Sequence, residues 1–234
     1  MNDPIGRAIA DFYANGKAPE IEIQTNYTEG ELLSPVYFFR TESEMPEIEK
    51  TALKLCRGKV LDVGAAAGCH ALVLQEKGLD VTALEKSEYA ARVMKRRGVR
   101  NVVCQSIFEY RETGFDTTLL LMNGTGIGRT LNGLEQLLKH LKHLMNPGGQ
   151  ILIDSSDIRY LFEEDDGSVW VDLTSNKYYG EMEYELRYKN YSTQFKWLFT
   201  DFETLAEICT KLGLTSKKIL EGDNFDYLAR ISSN

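Results

Sequence analysis

The residues best placed to do chemistry lie between two apolar runs in the first half of the chain. Val60-Leu-Asp-Val63 reads as a short strand, five small residues follow at 64–68, and helix-forming apolar sequence begins at Ala71. A strand, a turn of small residues and a helix N-terminus bring backbone N–H groups and the positive end of a helix dipole up to a ligand. Small side chains are needed because the ligand lies against the backbone. We therefore take six residues as candidate ligand contacts: Asp62, Gly64, Ala65, Ala66, Gly68 and His70.

An acidic residue follows the next apolar run. Residues 80–84 read as a second strand, which ends at Glu85, about 20 positions beyond the small-residue loop. A carboxylate at that distance is placed to accept both hydroxyls of an adenosine ribose. Glu85 and its neighbour Lys86 are therefore candidate residues for binding a nucleoside.

The spacing of the small residues separates two classes of nucleoside ligand. A dinucleotide site requires Gly-x-Gly-x-x-Gly, but counting from Gly64 the second and third positions are Ala66 and Cys69. The sequence reads Asp-x-Gly-x-x-x-Gly from Asp62 to Gly68 instead. This pattern resembles motif I of the class I S-adenosylmethionine-dependent methyltransferases, with Ala66 at the middle glycine of that motif.

Further residues extend this resemblance over about residues 58–155. Phe115-Asp116 and the turn Pro147-Gly148-Gly149 match the family's pattern around its fourth and fifth strands. The resemblance implies that Glu85 binds the ribose hydroxyls and that Asn123 lies near the meeting point of methionine and acceptor. It also places Ser106 and Ile107 at the adenine, although Ser106 replaces the family's usual aspartate.

The family resemblance implies both a cofactor and a reaction. The cofactor is S-adenosylmethionine, the product is S-adenosylhomocysteine, and the methyl group moves by in-line displacement. The sulfonium already activates the methyl, so no catalytic triad is needed, and we assign no general base. The chain has neither an Asn-Pro-Pro-Tyr motif nor a catalytic Pro-Cys motif, which favours a small-molecule acceptor. Two alternatives stay open: an NAD(P)-dependent oxidoreductase or epimerase, and a non-catalytic S-adenosylmethionine-binding regulatory protein.

The elements that must position these residues alternate between strands and helices. Strands are predicted at 60–63, 80–84, 101–105, 115–122 and 150–154, and helices at 87–97 and 131–145 separate some of them. Such alternation predicts a parallel sheet, whose ligands bind at the carboxyl ends of the strands. With the resemblance, we expect an α/β Rossmann-like fold with a seven-stranded, mostly parallel sheet, helices on both faces and an antiparallel last strand.

The C-terminal third adds an insertion to this plan. Strict alternation at 181–199 predicts a β-hairpin, a capping box at 200–203 starts a helix, and strands follow at 215–221 and 225–231. We therefore divide the chain into a cap segment and first helix at 1–57 and a methyltransferase domain at 58–234, with a hairpin insertion at about 178–199. Such insertions in the family often cover the acceptor or form a subunit contact, which allows a dimer through the hairpin.

The segment before the first strand has little periodicity until a predicted helix from Pro46 to Cys56. The aromatic-rich stretch 34–40 precedes that helix, and in this family such a segment usually closes over the cofactor. Tyr37 and Arg40 are therefore candidates to face the methionine carboxylate or the acceptor, together with Asp154 and Tyr178. The alternative is that the aromatic residues only fix the segment to the core.

Composition limits the classes of partner. The net charge is −8, from 27 basic and 35 acidic residues, which does not favour nucleic acid as the main partner. We find no signal peptide, no apolar run approaching about 18 residues, and four scattered cysteines without a Cys-x-x-Cys pair. We expect a cytoplasmic protein without a membrane partner. We assign no metal site, because the acidic run 163–166 is more typical of an exposed loop.

Overall fold

The computed structural model describes residues 2–28, 30–162 and 177–233; the acidic run 163–166 lies outside them. In chain order the described elements are α1 (Pro4–Asn15), β1 (Ile21–Thr25), β2 (Glu31–Leu33), α2 (Glu47–Leu55), β3 (Lys59–Val63), α3 (Cys69–Glu76), β4 (Asp80–Glu85), α4 (Glu88–Arg97), β5 (Asn101–Cys104), β6 (Phe115–Leu120), α5 (Leu131–Leu144), β7 (Met145–Ser156), β8 (Glu181–Tyr188), β9 (Tyr191–Leu198), α6 (Phe202–Lys211), β10 (Leu214–Glu221) and β11 (Asp226–Ser233). Short 3-10 turns cover Pro35–Phe39, Glu42–Glu44, Gly124–Gly128 and Arg159–Phe162.

The main sheet has seven strands in the order β10-β11-β7-β6-β3-β4-β5. The pairs among β5, β4, β3, β6 and β7 are parallel, and β11 is antiparallel to both of its neighbours. One face packs against α5 and α6 and the other against α2, α3 and α4. This architecture confirms the predicted Rossmann-like sheet with its antiparallel last strand.

Strand β7 begins five residues earlier than the predicted start at 150. Phe115 pairs with Met145 and Thr117 with Gln150, so the residues between Met145 and Gln150 form a bulge opposite β6. Gly148 has a positive φ of 75° within it. Asn146 fixes the bulge by donating its side-chain amide to the Gly114 carbonyl and to Asp116 Oδ1. The Pro-Gly-Gly turn is therefore part of the irregular start of the strand.

The structure corrects the expectation that the N-terminal region is largely aperiodic before α2. Helix α1 begins at Pro4, capped by Asp3, whose Oδ1 accepts the Gly6 N–H at 2.8 Å, and it ends at Gly16 in a left-handed conformation. An acidic N-cap, proline at the first helical position and a C-terminal glycine are standard helix signals. Two short strands, β1 and β2, follow. The predicted helix from Pro46 is present as α2.

The hairpin belongs to a second sheet that the sequence did not predict. Strands β8 and β9 form the expected hairpin, and β8 also pairs antiparallel with β1, Glu22 lying opposite Arg187. The resulting order is β2-β1-β8-β9. The pairing of β1 with β8 covers one edge of each strand, which would otherwise present unpaired backbone groups. The domain boundary at residue 57 stays a prediction, but the N-terminal segment and the hairpin share one sheet.

A third apolar cluster joins this second sheet to the carboxyl edge of the main sheet. It brings Ile9 of α1, Phe38 and Leu186 together with Ala67 of the small-residue loop and Ala90 of α4. Burial of apolar area is the dominant force that holds such layers together. The N-terminal segment is therefore packed directly on the loop that the sequence identified as the ligand site. No helix in the described ranges is long and apolar enough to cross a membrane.

Candidate functional site

The small-residue loop is held to the sheet by its own backbone. The N–H groups of Gly64 and Ala65 donate to the Leu84 carbonyl at 2.8 and 3.2 Å. Gly64 and Gly68 have φ of 75° and 81°, and Ala66 has a φ of 47°. A positive φ is unusual for a residue with a side chain, which is the physical reason that a glycine is typical at the position of Ala66.

The two glycines of the loop have different surroundings. A Cβ atom built on Gly68 would lie 2.9 Å from Val99 and 3.0 Å from Met94, so this glycine allows α3 and α4 to pack closely. A Cβ atom on Gly64 would contact only the Cδ1 atom of Ile127, at 3.7 Å, among the residues that the structure describes. Gly64 therefore borders open space, whereas Gly68 serves packing.

Glu85 ends β4 as a buried carboxylate with acceptor capacity to spare. Its Oε1 accepts the Ser87 N–H at 2.8 Å, and its Oε2 accepts the Ala66 N–H at 3.0 Å. Burial raises the pKa of Glu85 above its usual value, and these two hydrogen bonds oppose that rise. Each carboxylate oxygen can accept a second hydrogen bond, which is what two ribose hydroxyls require. Lys86 beside it is exposed.

Asp62 is a buried carboxylate with an unused acceptor. Its side chain is 2% exposed, and its Oδ2 atom has no hydrogen-bond partner in the described parts of the chain. Burial is the main reason that the pKa of Asp62 rises to about 6. Buried polar atoms almost always find a partner. The predicted contact between Asp62 and the cofactor stays a prediction.

The loop after β6 forms the next part of the edge. Met122 and Asn123 both have positive φ, 67° and 60°, a strained arrangement that clusters at functional sites. Asp154, at the end of β7, holds it by accepting the N–H groups of Gly124 at 2.8 Å and Met122 at 3.1 Å. Burial raises the pKa of Asp154 to about 6. The Asn123 amide donates to the Leu198 carbonyl of β9 at 3.1 Å and so ties the edge to the second sheet.

The residues after β5 lie at the same edge with different exposure. Ile107 is buried and packs in the apolar cluster with Val103 and Tyr110. Ser106 is half-buried, and its carbonyl accepts the N–H groups of Glu109 and Tyr110 in a turn. Their predicted contact with adenine stays a prediction.

His70 and Arg40 meet through Glu49, a residue that the sequence patterns did not single out. His70 Nε2 lies 2.6 Å from Glu49 Oε2, and Arg40 Nη2 lies 2.9 Å from Glu49 Oε1. Burial lowers the pKa of His70, but the hydrogen bond with Glu49 and the charges of Asp62 and Glu49 outweigh it and raise the pKa. Burial raises the pKa of Glu49, but His70 and Arg40 outweigh that effect, so its pKa is lowered. An acid beside Ile48 on the buried face of α2 was the available signal.

Of the four candidate acceptor residues, Tyr37, Arg40 and Asp154 come together and Tyr178 lies with other partners. The Arg40 guanidinium stacks 3.6 Å from the Tyr37 ring centroid. Burial raises the pKa of Tyr37, and the charges of Glu49 and Asp154 act on it in the same direction. The Tyr178 hydroxyl donates to Asp201, the N-cap of α6.

No group of three or more metal-binding side chains capable of holding an ion occurs among the described residues.

Comparisons with known proteins show the family of the chain. No family model and no curated protein matches the chain. Among solved structures, it is similar to the S-adenosylmethionine-dependent methyltransferase from Bacteroides fragilis in complex with S-adenosyl-L-homocysteine. The two are 41% identical over 99% of this chain and 95% of that chain, with a TM-score of 0.92.

Two further solved structures share the fold. The CcbJ methyltransferase from Streptomyces caelestis is 12% identical over 83% of this chain and 99% of that chain, with a TM-score of 0.62. The sugar N-methyltransferase KedS8 from Streptoalloteichus is 14% identical over 84% and 88%, with a TM-score of 0.55. The Bacteroides comparison decides against the nicotinamide-dependent alternative and confirms the predicted family. The chain belongs to the S-adenosylmethionine-dependent methyltransferases, an enzyme family whose cofactor is S-adenosylmethionine.

Proposed function

We propose that this enzyme methylates a small-molecule acceptor bound at the carboxyl edge of the main sheet. The observation that carries the proposal is the cover over that edge. The Pro35–Phe39 turn packs on the cofactor loop, and a Cβ atom on Gly126 would lie 2.0 Å from Trp197 of β9. An acceptor must enter beneath this cover, which favours a small molecule over a folded macromolecule. The name of KedS8, a sugar N-methyltransferase with the same fold, also supports it.

The residues of the edge fit the cofactor by type and placement. Glu85 would bind the ribose hydroxyls, the orphaned Oδ2 of Asp62 would face the ammonium end of the methionine part, and Gly64 leaves room beside them. The cofactor supplies a methyl group that its sulfonium already activates. Contacts to Ala65, Ala66, Gly68, Lys86, Ser106, Ile107 and Asn123 belong to the same proposal. His70, buried and bonded to Glu49, acts on the site indirectly.

The remaining work of the protein is to orient the acceptor and exclude water. Tyr37 and Asp154 are the side chains that we propose for the acceptor, and Arg40 acts through Tyr37. Asp154, with a pKa raised to about 6 by burial, suits the removal of a proton from a hydroxyl or ammonium group near neutral pH. Tyr178, whose hydroxyl donates a hydrogen bond to Asp201, is proposed to contact the acceptor from the side of the hairpin.

Ligand-dependent melting followed by a turnover assay tests this function. S-Adenosylmethionine and S-adenosylhomocysteine at about 100 times their dissociation constants should stabilise the fold by about 2.7 kcal/mol, whereas NAD and NADP should not shift the melting temperature. A pool of small-molecule metabolites with methyl-labelled cofactor should then give a labelled product. Stabilisation by the nicotinamide cofactors alone would contradict the assignment. Stabilisation without turnover on any pool would favour a binding protein.

The proposed localisation, partners and oligomeric state are supported by the composition of the chain and by the outer edge of the second sheet. We propose a cytoplasmic enzyme that does not act on nucleic acid, supported by the net charge of −8 and by the scattered cysteines. The N-terminal segment 1–57 would act as a cap together with the hairpin. A dimer through the hairpin is supported by the position of β9 at the end of the second sheet, where no other strand of the described residues pairs with its outer edge.

A further inference from the structure

Three buried ionisable side chains form a hydrogen-bonded network, Arg40–Glu49–His70, that methyl transfer itself does not require. Arg40, Glu49 and His70 have side chains that are 8%, 4% and 6% exposed. Arg40 Nη2 donates to both Glu49 oxygens, at 2.9 and 3.0 Å, and Glu49 Oε2 also meets His70 Nε2 at 2.6 Å. Apolar residues of similar volume often stabilise a fold as well as a buried ion pair does. Stability alone therefore gives no reason for this arrangement.

The two ends of this network, Arg40 and His70, lie on the two parts of the molecule that enclose the cofactor loop. His70 is the second residue of α3, directly after the loop. Arg40 closes the turn Pro35–Phe39, because its Nε donates to the Tyr37 carbonyl at 2.9 Å and its guanidinium stacks on the Tyr37 ring. Glu49 on α2 lies between the two and links them.

The turn reaches the loop by direct packing as well. Phe38 lies in one apolar cluster with Ala66 and Ala67. Arg97 donates to the Ala67 carbonyl at 2.6 Å, and its guanidinium lies 4.8 Å above the Phe39 ring. A ligand held against this loop cannot leave on that side unless the turn moves away from it.

We propose that Arg40, Glu49 and His70 are positioning residues that hold the segment 35–40 closed over the cofactor loop and thereby slow the release of cofactor and product. The inference rests on the proposed function, because it requires S-adenosylmethionine to bind at this loop. The three residues act through the segment.

The charge of His70 makes this closure depend on pH. The charged groups that face His70 are Glu49 from α2, Asp62 from β3 and Arg40 from the segment, and together they leave its pKa raised. Protonated His70 attracts the Glu49 carboxylate, and neutral His70 retains only a hydrogen bond to it. Closure should therefore weaken as the pH rises through the pKa of His70.

The dissociation rate of S-adenosylhomocysteine from the full chain, measured by surface plasmon resonance, tests the proposal. Glu49→Gln should accelerate release by about tenfold or more, because loss of a buried charged partner acts mainly on dissociation. Glu47→Gln is the matched control on the same helix, since Glu47 is 63% exposed in its pair with Lys54. It should release the ligand at the wild-type rate.

A second variant covers the case in which Glu49→Gln fails to fold. Arg40→Lys keeps the positive charge but cannot reproduce the fork geometry or the stacking of a guanidinium, and it should accelerate release by about threefold or more. A folded Glu49→Gln protein that releases the ligand at the wild-type rate would overturn the proposal, as would wild-type release from Arg40→Lys. A wild-type protein that binds no S-adenosylhomocysteine would overturn the proposed function itself.

The pH profile separates positioning from a purely structural role. Release from the wild-type protein should become faster as the pH rises through the pKa of His70, which lies above its ordinary value, and His70→Gln should remove most of that change. A structural role would lower the melting temperature of the variants but leave the pH profile of release unchanged. Identical profiles in wild type and His70→Gln would overturn the role of His70.

Discussion

Two buried carboxylates at the cofactor edge are compensated to different extents. Each oxygen of Glu85 accepts one backbone N–H and can accept a second hydrogen bond. Glu85 can therefore hold the loop and bind a ligand at the same time. Asp62 leaves Oδ2 without a partner among the described residues, and burial raises its pKa to about 6. A buried group left unsatisfied costs stability and is retained where a ligand satisfies it. Asp62 is therefore the residue at which stability and function should conflict most clearly.

Asp62→Asn should make the ligand-free protein more stable and the cofactor complex weaker. A raised pKa means that Asp62 favours folding below its unfolded pKa of about 4 and disfavours it as the pH rises through about 6. A shift of about two units corresponds to about 2–3 kcal/mol at neutral pH. The melting temperature of Asp62→Asn should then exceed that of wild type at pH 7.5, with a smaller gain at pH 5.

The matched control for that variant is Asp80→Asn at the exposed start of β4. It should change neither the melting temperature nor its pH dependence. Differential scanning calorimetry at the two pH values measures both. A ligand-free Asp62→Asn protein that melts below wild type at pH 7.5 would show that the Asp62 carboxylate is satisfied within the protein, against our interpretation of the site.

At the scale of elements, the N-terminal helix is fixed to the cofactor edge by its first residues. Asp3 caps α1 through Gly6, and its Oδ2 also accepts the hydroxyl of Ser87, the N-cap of α4, at 2.5 Å. Ser87 in turn donates its N–H to Glu85. A Cβ atom on Gly6 would lie 2.1 Å from Ser87 Oγ, so the two helices meet without a side chain between them.

Asp3→Ala should release this junction. Loss of the cap costs about 1 kcal/mol, and loss of the bond to Ser87 adds about as much. A total of about 2 kcal/mol lowers the melting temperature of a chain of this size by about 4–8 °C. Asp3→Asn keeps an acceptor for the cap and should lose only about half of that. An unchanged melting temperature in Asp3→Ala would contradict the role of this junction.

Local patterns predicted the elements whose signals are local. The small-residue loop, Glu85 at the end of β4 and the helix that ends before Gly98 follow from spacing and capping within a few residues, and the structure has each of them. Helix α1 has equally local signals in Asp3, Pro4 and Gly16. Its cap, its proline and the helical spacing of Ile5, Ile9 and Phe12 were therefore sufficient to predict it, and the expectation of little periodicity before α2 was wrong.

At the scale of the whole molecule, the pairings that enclose the site join residues that are distant in the sequence. Glu22 lies opposite Arg187 across β1 and β8, and Glu49 meets His70 between α2 and α3. Alternation predicts that a strand has two faces, but it does not identify the strand that completes its edge. The second sheet and the Arg40–Glu49–His70 network could therefore be found only in the structure. The residues at the carboxyl edge of the main sheet could be predicted from the sequence.

The architecture as a whole supports a division of labour. The main sheet presents Asp62, Glu85 and Asp154 at one edge, and the N-terminal segment and the hairpin form a second layer over it. Cofactor binding should therefore depend on Asp62 and Glu85, and acceptor choice on Asp154 together with the second layer. This division requires that S-adenosylmethionine bind at the edge marked by Glu85.

Calorimetric titration of S-adenosylhomocysteine into wild type and Glu85→Ala tests that requirement most directly. Glu85→Ala removes the acceptor of the ribose hydroxyls, and charge-assisted hydrogen bonds of about 1.5–3 kcal/mol each are lost before water compensates. The affinity should fall by about tenfold or more, while Glu88→Ala, an exposed neighbour in the first turn of α4, should bind as wild type does. A folded Glu85→Ala protein with wild-type affinity for S-adenosylhomocysteine would contradict the binding of the cofactor at Glu85.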